Sequence, residues 1–190
     1  DNPAQSFADL LQRAKTQAPN YGSPAVGSPH HLAMEMVKRR TGLAATHVPY
    51  RGGPAAMQDL LAGNVELVVI DSASGLPFLR DGRVRALCVL SEARSAPAAN
   101  VPTLRELGWP DAIAYGWQGI SLPAGAPPAV IDRVHDALTA GVEADDVKAR
   151  FRDLGIEGAA LSPAGFQAFV EAENAVWRPL IRDLGIRLDG

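Results

Sequence analysis

Apolar residues change their spacing several times along the chain, and each change predicts an element. Ser6 followed three residues later by Asp9 is a capping-box pattern, and Phe7, Leu10, Leu11 and Ala14 then recur at helical spacing until Pro19 stops them. Residues 21–27, Tyr-Gly-Ser-Pro-Ala-Val-Gly, read as a short loop leading into Ser28 and Pro29, an N-cap with proline at the first helical position. Leu32, Met36 and Val37 form the apolar face of that second helix, which ends near Gly42. Four strand-like runs follow, at 46–50, 66–71, 84–90 and 113–122. A helix opened by Gly53-Pro54 and closed by Gly63 separates the first two, and a short helix over 72–79 precedes the Asp81-Gly82 turn. Strand runs alternating with short helices predict an α/β chain with a mostly parallel sheet and helices on both faces.

The character changes after Leu122. Residues 123–128 are a proline- and glycine-rich junction, which sets a boundary near Leu122, and helical spacing dominates beyond it. Val130, Val134 and Leu138 mark one helix; Val147, Phe151 and Leu154 mark the next, with Asp145 and Asp146 at its start and Arg150 and Arg152 toward its end, as the helix dipole favours. Ser162-Pro163 opens a long third helix with an aromatic stripe of Phe166, Phe169 and Trp177, read as core.

Composition narrows the function classes. The 190 residues are 47% hydrophobic but only 6% aromatic, so Ala, Leu, Val and Ile must build the core. A net charge of −3 and the absence of any Lys/Arg-rich run argue against nucleic-acid binding. No stretch approaches a membrane span, so no membrane insertion is expected. One cysteine, Cys88, excludes an internal disulfide and a cysteine-built metal site; in an apolar strand it reads as a buried, inert thiol. Asp1-Asn2-Pro3 is not the start of an export signal, so a cytosolic protein, a mature product or a fragment is expected.

Candidate chemistry concentrates in the glycine turns. The segment from Gly22 to Ser28 feeds a capped helix N-terminus, where free N–H groups and the positive dipole end suit a carboxylate or phosphate; a purely structural cap is the competing reading. It is neither a P-loop, because Ser28-Pro29 rather than Lys and Ser/Thr follow Gly27, nor a dinucleotide fingerprint. Tyr50-Arg51-Gly52-Gly53-Pro54 occupies the equivalent position after the next strand, and Asp71-Ser72 ends the one after that. Ligands in open α/β sheets collect at such carboxyl ends, so the three turns together predict a cleft wall. His30, His31 and Glu35 invite a metal reading, with His31 and Glu35 four apart on one helix face, but no third ligand or cysteine partner lies nearby and a polar helix start is the competing reading. Ser23, His31 and Asp71 compose a hydrolase triad on paper but lack the nucleophile elbow, and His47 and His135 read as structural.

Taken together, these segments resemble the Bug (TctC-like) family of extracytoplasmic solute-binding receptors for tripartite tricarboxylate transporters. The matching residues are 21–32 (Tyr-Gly-Ser-Pro-Ala-Val-Gly-Ser-Pro-His-His-Leu), 48–54, 59–63, Asp71 with Leu76-Pro77, 82–87, 101–108, 122–128, and Glu173 with Trp177. They run in family order across nearly the whole chain.

The resemblance implies a type II periplasmic-binding-protein fold, of which this chain is the later part, with the export signal and the beginning of the first lobe lying outside it. Residues 1–114 would form the second ligand-binding lobe. Residues 115–190 would be a crossover strand and C-terminal helices that return toward the first lobe, leaving an apolar surface there that favours self-association. Reversible binding of a small carboxylate, such as a di- or tricarboxylate or an acidic amino acid, is implied, with no catalysis, no cofactor and no metal. The implied contacts are Ser23, Val26, Gly27, Ser28 and His31 on the first turn, Tyr50, Arg51 and Gly52 on the second, and Asp71. Gly53 before Pro54 departs from the residue relatives more often place there, so the second turn's contacts are less defined. Periplasmic location and membrane subunits of a tripartite transporter as partners are implied too. A ligand-sensing regulatory module of the same architecture is the rival reading.

Overall fold

A computed structural model describes residues 3–186. In chain order its elements are α1 (Phe7–Ala14), β1 (Asn20–Ser23), α2 (Pro29–Thr41), β2 (Thr46–Pro49), α3 (Gly53–Ala62), β3 (Leu67–Val68), α4 (Ser72–Arg80), a 3₁₀ turn (Ala96–Ala98), α5 (Pro128–Glu143), α6 (Asp145–Leu154) and α7 (Pro163–Asp183). The three strands are parallel in the order β2-β1-β3.

Local sequence sets most helix limits. The Ser6 hydroxyl accepts the Asp9 N–H at 3.1 Å, while the Asp9 carboxylate accepts from the Gln5 N–H, one residue earlier than a capping box requires. The Ser28 and Ser162 hydroxyls accept the N–H groups of His31 and Gly165, and α2 and α3 end at Gly42 and Gly63 as their sequence predicts.

The sheet departs from the expectation. Residues 21–23 of the predicted loop, together with Asn20, form the central strand β1. The run at 66–71 supplies only Leu67–Val68 as strand. Residues 84–90 and 113–122 are not strands: Val89 makes an isolated parallel bridge to Thr103, and the Ala114 N–H donates to the Leu90 carbonyl at 2.9 Å. Their apolar side chains satisfy a strand pattern, but a ladder also needs a neighbour with open backbone groups along its length. Residues 20–23 have such neighbours on both sides despite a sequence containing a single large apolar residue.

The first crossover runs from the central strand β1 to β2, and the second runs back across β1 to β3. Right-handed connections running in opposite directions place α2 and α3 on opposite faces. Adjacent residues of β1 register this division. Tyr21 is fully buried in the main cluster with Phe7, Leu10, Met34, Val37, Leu43 and Leu104. Gly22 faces α3 instead, where a Cβ would meet Tyr50 Cε2 at 3.0 Å and Ala56 Cβ at 3.3 Å. Cys88 packs against the main cluster, and burial pushes its thiol pKa up to about 12, so it stays protonated at neutral pH.

Beyond residue 114 the burial changes. Helices α5 and α6 contain no buried residue among those described, and α7 buries only Leu180. Leu180 and Trp177 pack with Ala33 and Met36 of α2, and Arg39 bonds Asp183 at 3.2 Å. Trp117 rests edge-on against Phe166 and Phe169. Ile120, Val176 and Trp117 nevertheless remain 60%, 54% and 43% exposed.

Candidate functional site

The carboxyl ends of the three strands gather three helix N-termini. The Tyr50 N–H donates to the Ser23 carbonyl at 2.9 Å and the Gly52 N–H to the Pro24 carbonyl at 3.1 Å, lacing the second glycine turn to the first. Gly52 adopts φ +121°, a region open to glycine, as the chain swings from β2 into α3. From the other side, His30 on the first turn of α2 approaches Asp71 at 3.8 Å, and Asp71 caps α4 by accepting the Ser74 N–H at 2.8 Å. Burial lowers the His30 pKa, with Asp71 opposing that shift. Of the residues predicted from sequence, those of both turns and Asp71 are thereby brought to one edge.

The N-termini are not equivalent. Asp71 supplies its own carboxylate to α4, Ser28 caps α2, and α3 begins at Gly52 without a side-chain cap. The N–H groups of Ala25 and Val26 have no acceptor among the described residues. Arg51 is exposed beside them. Open N–H groups, two positive dipole ends and a guanidinium suit a carboxylate-sized anion.

Beneath the first turn lies a packed polar network. Ser23 is fully buried; its hydroxyl donates to the Ala25 carbonyl at 3.1 Å and lies 2.7 Å from His47 Nε2. A serine has one proton, so with that proton on the Ala25 carbonyl His47 must carry hydrogen on Nε2. The His47 ring stacks on His31 with centroids 4.0 Å apart and on Tyr21 at 4.9 Å. His31 Nδ1 accepts the Gly27 N–H at 3.0 Å. Tyr21 donates to Glu35 Oε1 at 2.7 Å, and Lys38 bonds the same oxygen at 2.6 Å. Burial opposes ionisation of Glu35, but Lys38 and Tyr21 outweigh it and hold the carboxyl below its usual range.

The paper triad does not assemble. Ser23 pairs with His47, His31 with the Gly27 N–H, and Asp71 with Ser74. Glu35, the partner in the metal reading, is held by Tyr21 and Lys38. Ser23 supports the turn from within, and the Ser28 hydroxyl is engaged as a cap. Tyr50 lies over Gly22 and donates to Asp59 at 2.8 Å; burial, then Asp59, push its pKa up to about 12. The residue that sequence reasoning undervalued is His47. Its place follows from strand register, which pairs Tyr21 with His47 across β1 and β2, and a period-two comparison of those strands was the signal available.

The model of the tripartite tricarboxylate transporter family receptor, TctC, matches residues 1–186. The chain belongs to this receptor family. Protein BugT of Bordetella pertussis is 32% identical over 164 residues, which cover 86% of this chain and 50% of BugT. The chain thus spans about half the length of the curated relatives it matches. Among solved structures, R. palustris Rpa4515 with adipate is 31% identical with a TM-score of 0.86, covering 97% of this chain and 62% of that one. A protein described as a periplasmic transporter reaches a TM-score of 0.89 at 27% identity, covering 98% of this chain and 63% of that one. Among the described residues of this TctC-family chain, no helix is long and apolar enough to cross a membrane.

Proposed function

We propose that this chain is a ligand-capturing part of an extracytoplasmic receptor that binds a small carboxylate reversibly, without chemistry on it. The observation that carries the reading is the convergence of the two laced turns at the sheet edge, with the Ala25 and Val26 N–H groups open and α3 uncapped by any side chain. Rpa4515, the relative solved with adipate, supports a dicarboxylate as the ligand class, with tricarboxylates and acidic amino acids as its chemical neighbours. Backbone groups around Val26, Gly27 and Ser28 meet one carboxylate, while Arg51 and Gly52 complete the wall and Ser23, His31 and Tyr50 hold it in shape. Asp71 spends its charge on the α4 cap and on His30, which leaves it suited to a ligand hydroxyl or ammonium. Residues 1–114 act as one lobe and 115–190 as the return to the other. Membrane subunits of a tripartite transporter are the partners, and the periplasm is the location. A hydrolytic role is disfavoured, because the Ser23 hydroxyl is fully buried beneath the turn.

The test is a two-dimensional amide NMR titration of this chain with adipate. Perturbations are expected at residues 25–31 and 51–53; an isolated half-site would bind at about millimolar strength, roughly 4 kcal/mol. Saturating adipate that leaves these amides unmoved overturns the reading.

The exposed side chains of Ile120 and Val176 give a second expected outcome. In sedimentation velocity the 190-residue chain associates as its concentration rises, and the Ile120→Glu, Val176→Glu double variant shifts the distribution toward monomer. Identical distributions for the two proteins would show that another face associates.

A further inference from the structure

We propose that His31 is a positioning residue that holds the first turn in its binding shape only while its ring is neutral, so that acidification releases a bound carboxylate. The inference rests on the binding reading above. His31 Nδ1 is the acceptor for the Gly27 N–H at 3.0 Å, so the neutral ring carries its hydrogen on Nε2. Protonating Nδ1 sets one N–H donor against another and breaks the bond that holds the Gly27 amide. His47 braces the turn through Ser23, whose hydroxyl fixes the Ala25 carbonyl two residues on. The two rings lie 4.0 Å apart and within 13° of parallel, so a proton on either raises the cost of a proton on the other.

The groups facing this pair bias it in both directions. Glu35, on α2, favours protonation of both rings, whereas Lys38, one turn further along α2, opposes it. Tyr21, on β1, stacks on both rings and passes its proton toward Glu35 rather than toward either histidine. His30, adjacent in α2, is engaged with Asp71 instead. Burial is the main influence on both rings and lowers both pKa values, that of His47 to about 4. Both are therefore neutral at pH 7. Because the folded values lie below that of a free histidine, protons arrive only in the acidic range, and the braced form is lost as pH falls. Apparent affinity follows the neutral fraction, falling about tenfold for each pH unit below the midpoint.

The experiment uses adipate as probe and compares wild type with His31→Asn from pH 7.5 to 4. The asparagine side-chain oxygen sits near the place of Nδ1, can accept the Gly27 N–H and does not titrate. Taking the ratio of the two dissociation constants at each pH cancels the ionisation of adipate itself. The expected result is a ratio that changes about tenfold for each pH unit below the His31 midpoint, with wild type weakening more steeply whatever the affinity of the variant at pH 7. A flat ratio overturns the proposal. Absence of adipate binding to wild type at pH 7.5 overturns the binding reading instead. A second measurement needs neither variant nor ligand: in wild type, the Gly27 amide shift and the His31 ring nitrogens are expected to titrate with one midpoint. Separate midpoints overturn the brace even if His31→Asn fails to fold.

Discussion

Tyr21→Ala is expected to lower folding stability by about 3–5 kcal/mol, the range for deleting a large buried aromatic. The ring is fully buried at the centre of the main cluster, between α1 and α2, and it is also the floor on which His47 stacks. Its hydroxyl donates to Glu35, which shares that oxygen with Lys38. Truncation therefore opens a cavity and also removes one of the two donors to a half-buried carboxylate. Tyr21→Phe separates these contributions. It keeps the ring and leaves Glu35 with Lys38 alone, for an expected loss of about 1–3 kcal/mol. Urea denaturation at pH 7 measures both. Equal losses for the two variants would mean that the hydroxyl, not the ring, holds this part of the core.

The next largest effect is expected one residue along the same strand. Gly22→Val places branched carbons where even a Cβ would lie 3.0 Å from the Tyr50 ring and 3.3 Å from Ala56. Overpacking of this kind costs about 1–3 kcal/mol. The strain has a direction, because the ring can yield only by leaving the position from which it reaches Asp59. The Tyr50 hydroxyl is therefore expected to lose its carboxylate partner, and the phenol pKa to fall from about 12 toward its ordinary value. Denaturant midpoints give the stability, and an ultraviolet titration of the tyrosines gives the pKa. A Gly22→Val protein as stable as wild type would show that α3 stands further from β1 than described.

These two neighbours also show where sequence reading succeeded and where it stopped. Helix limits were legible because each is set within a few residues: Ser28 and Ser162 accept from the third residue on, and α3 closes at Gly63. Pairing of strands is not local in that sense. Asn20-Tyr21-Gly22-Ser23 carries almost no apolar signal, and its strand character comes from β2 and β3, which arrive later in the chain. Residues 84–90 and 113–122 present the opposite case, apolar enough for strands but without neighbours to complete a ladder. The turns were found because glycine, proline and capping serine mark them in sequence. The support under the first turn was not, because Ser23 and His47 meet only after β1 and β2 are aligned. His47, set between Thr46 and Val48, does not reveal by its immediate neighbours that it would stack on another ring.

The contrast in burial on either side of residue 114 implies an order of opening. Helices with no buried side chain surrender little apolar contact when they unravel, so α5 and α6 belong to the low-energy end of local unfolding. The strand carrying Tyr21 and Ser23 cannot separate without breaking the main cluster. Amide protons in β1 should therefore outlast those of α5 and α6 in hydrogen exchange, and limited proteolysis should enter the chain among the C-terminal helices first. The first turn, with its histidine stack, is attached to the part of the molecule that opens last.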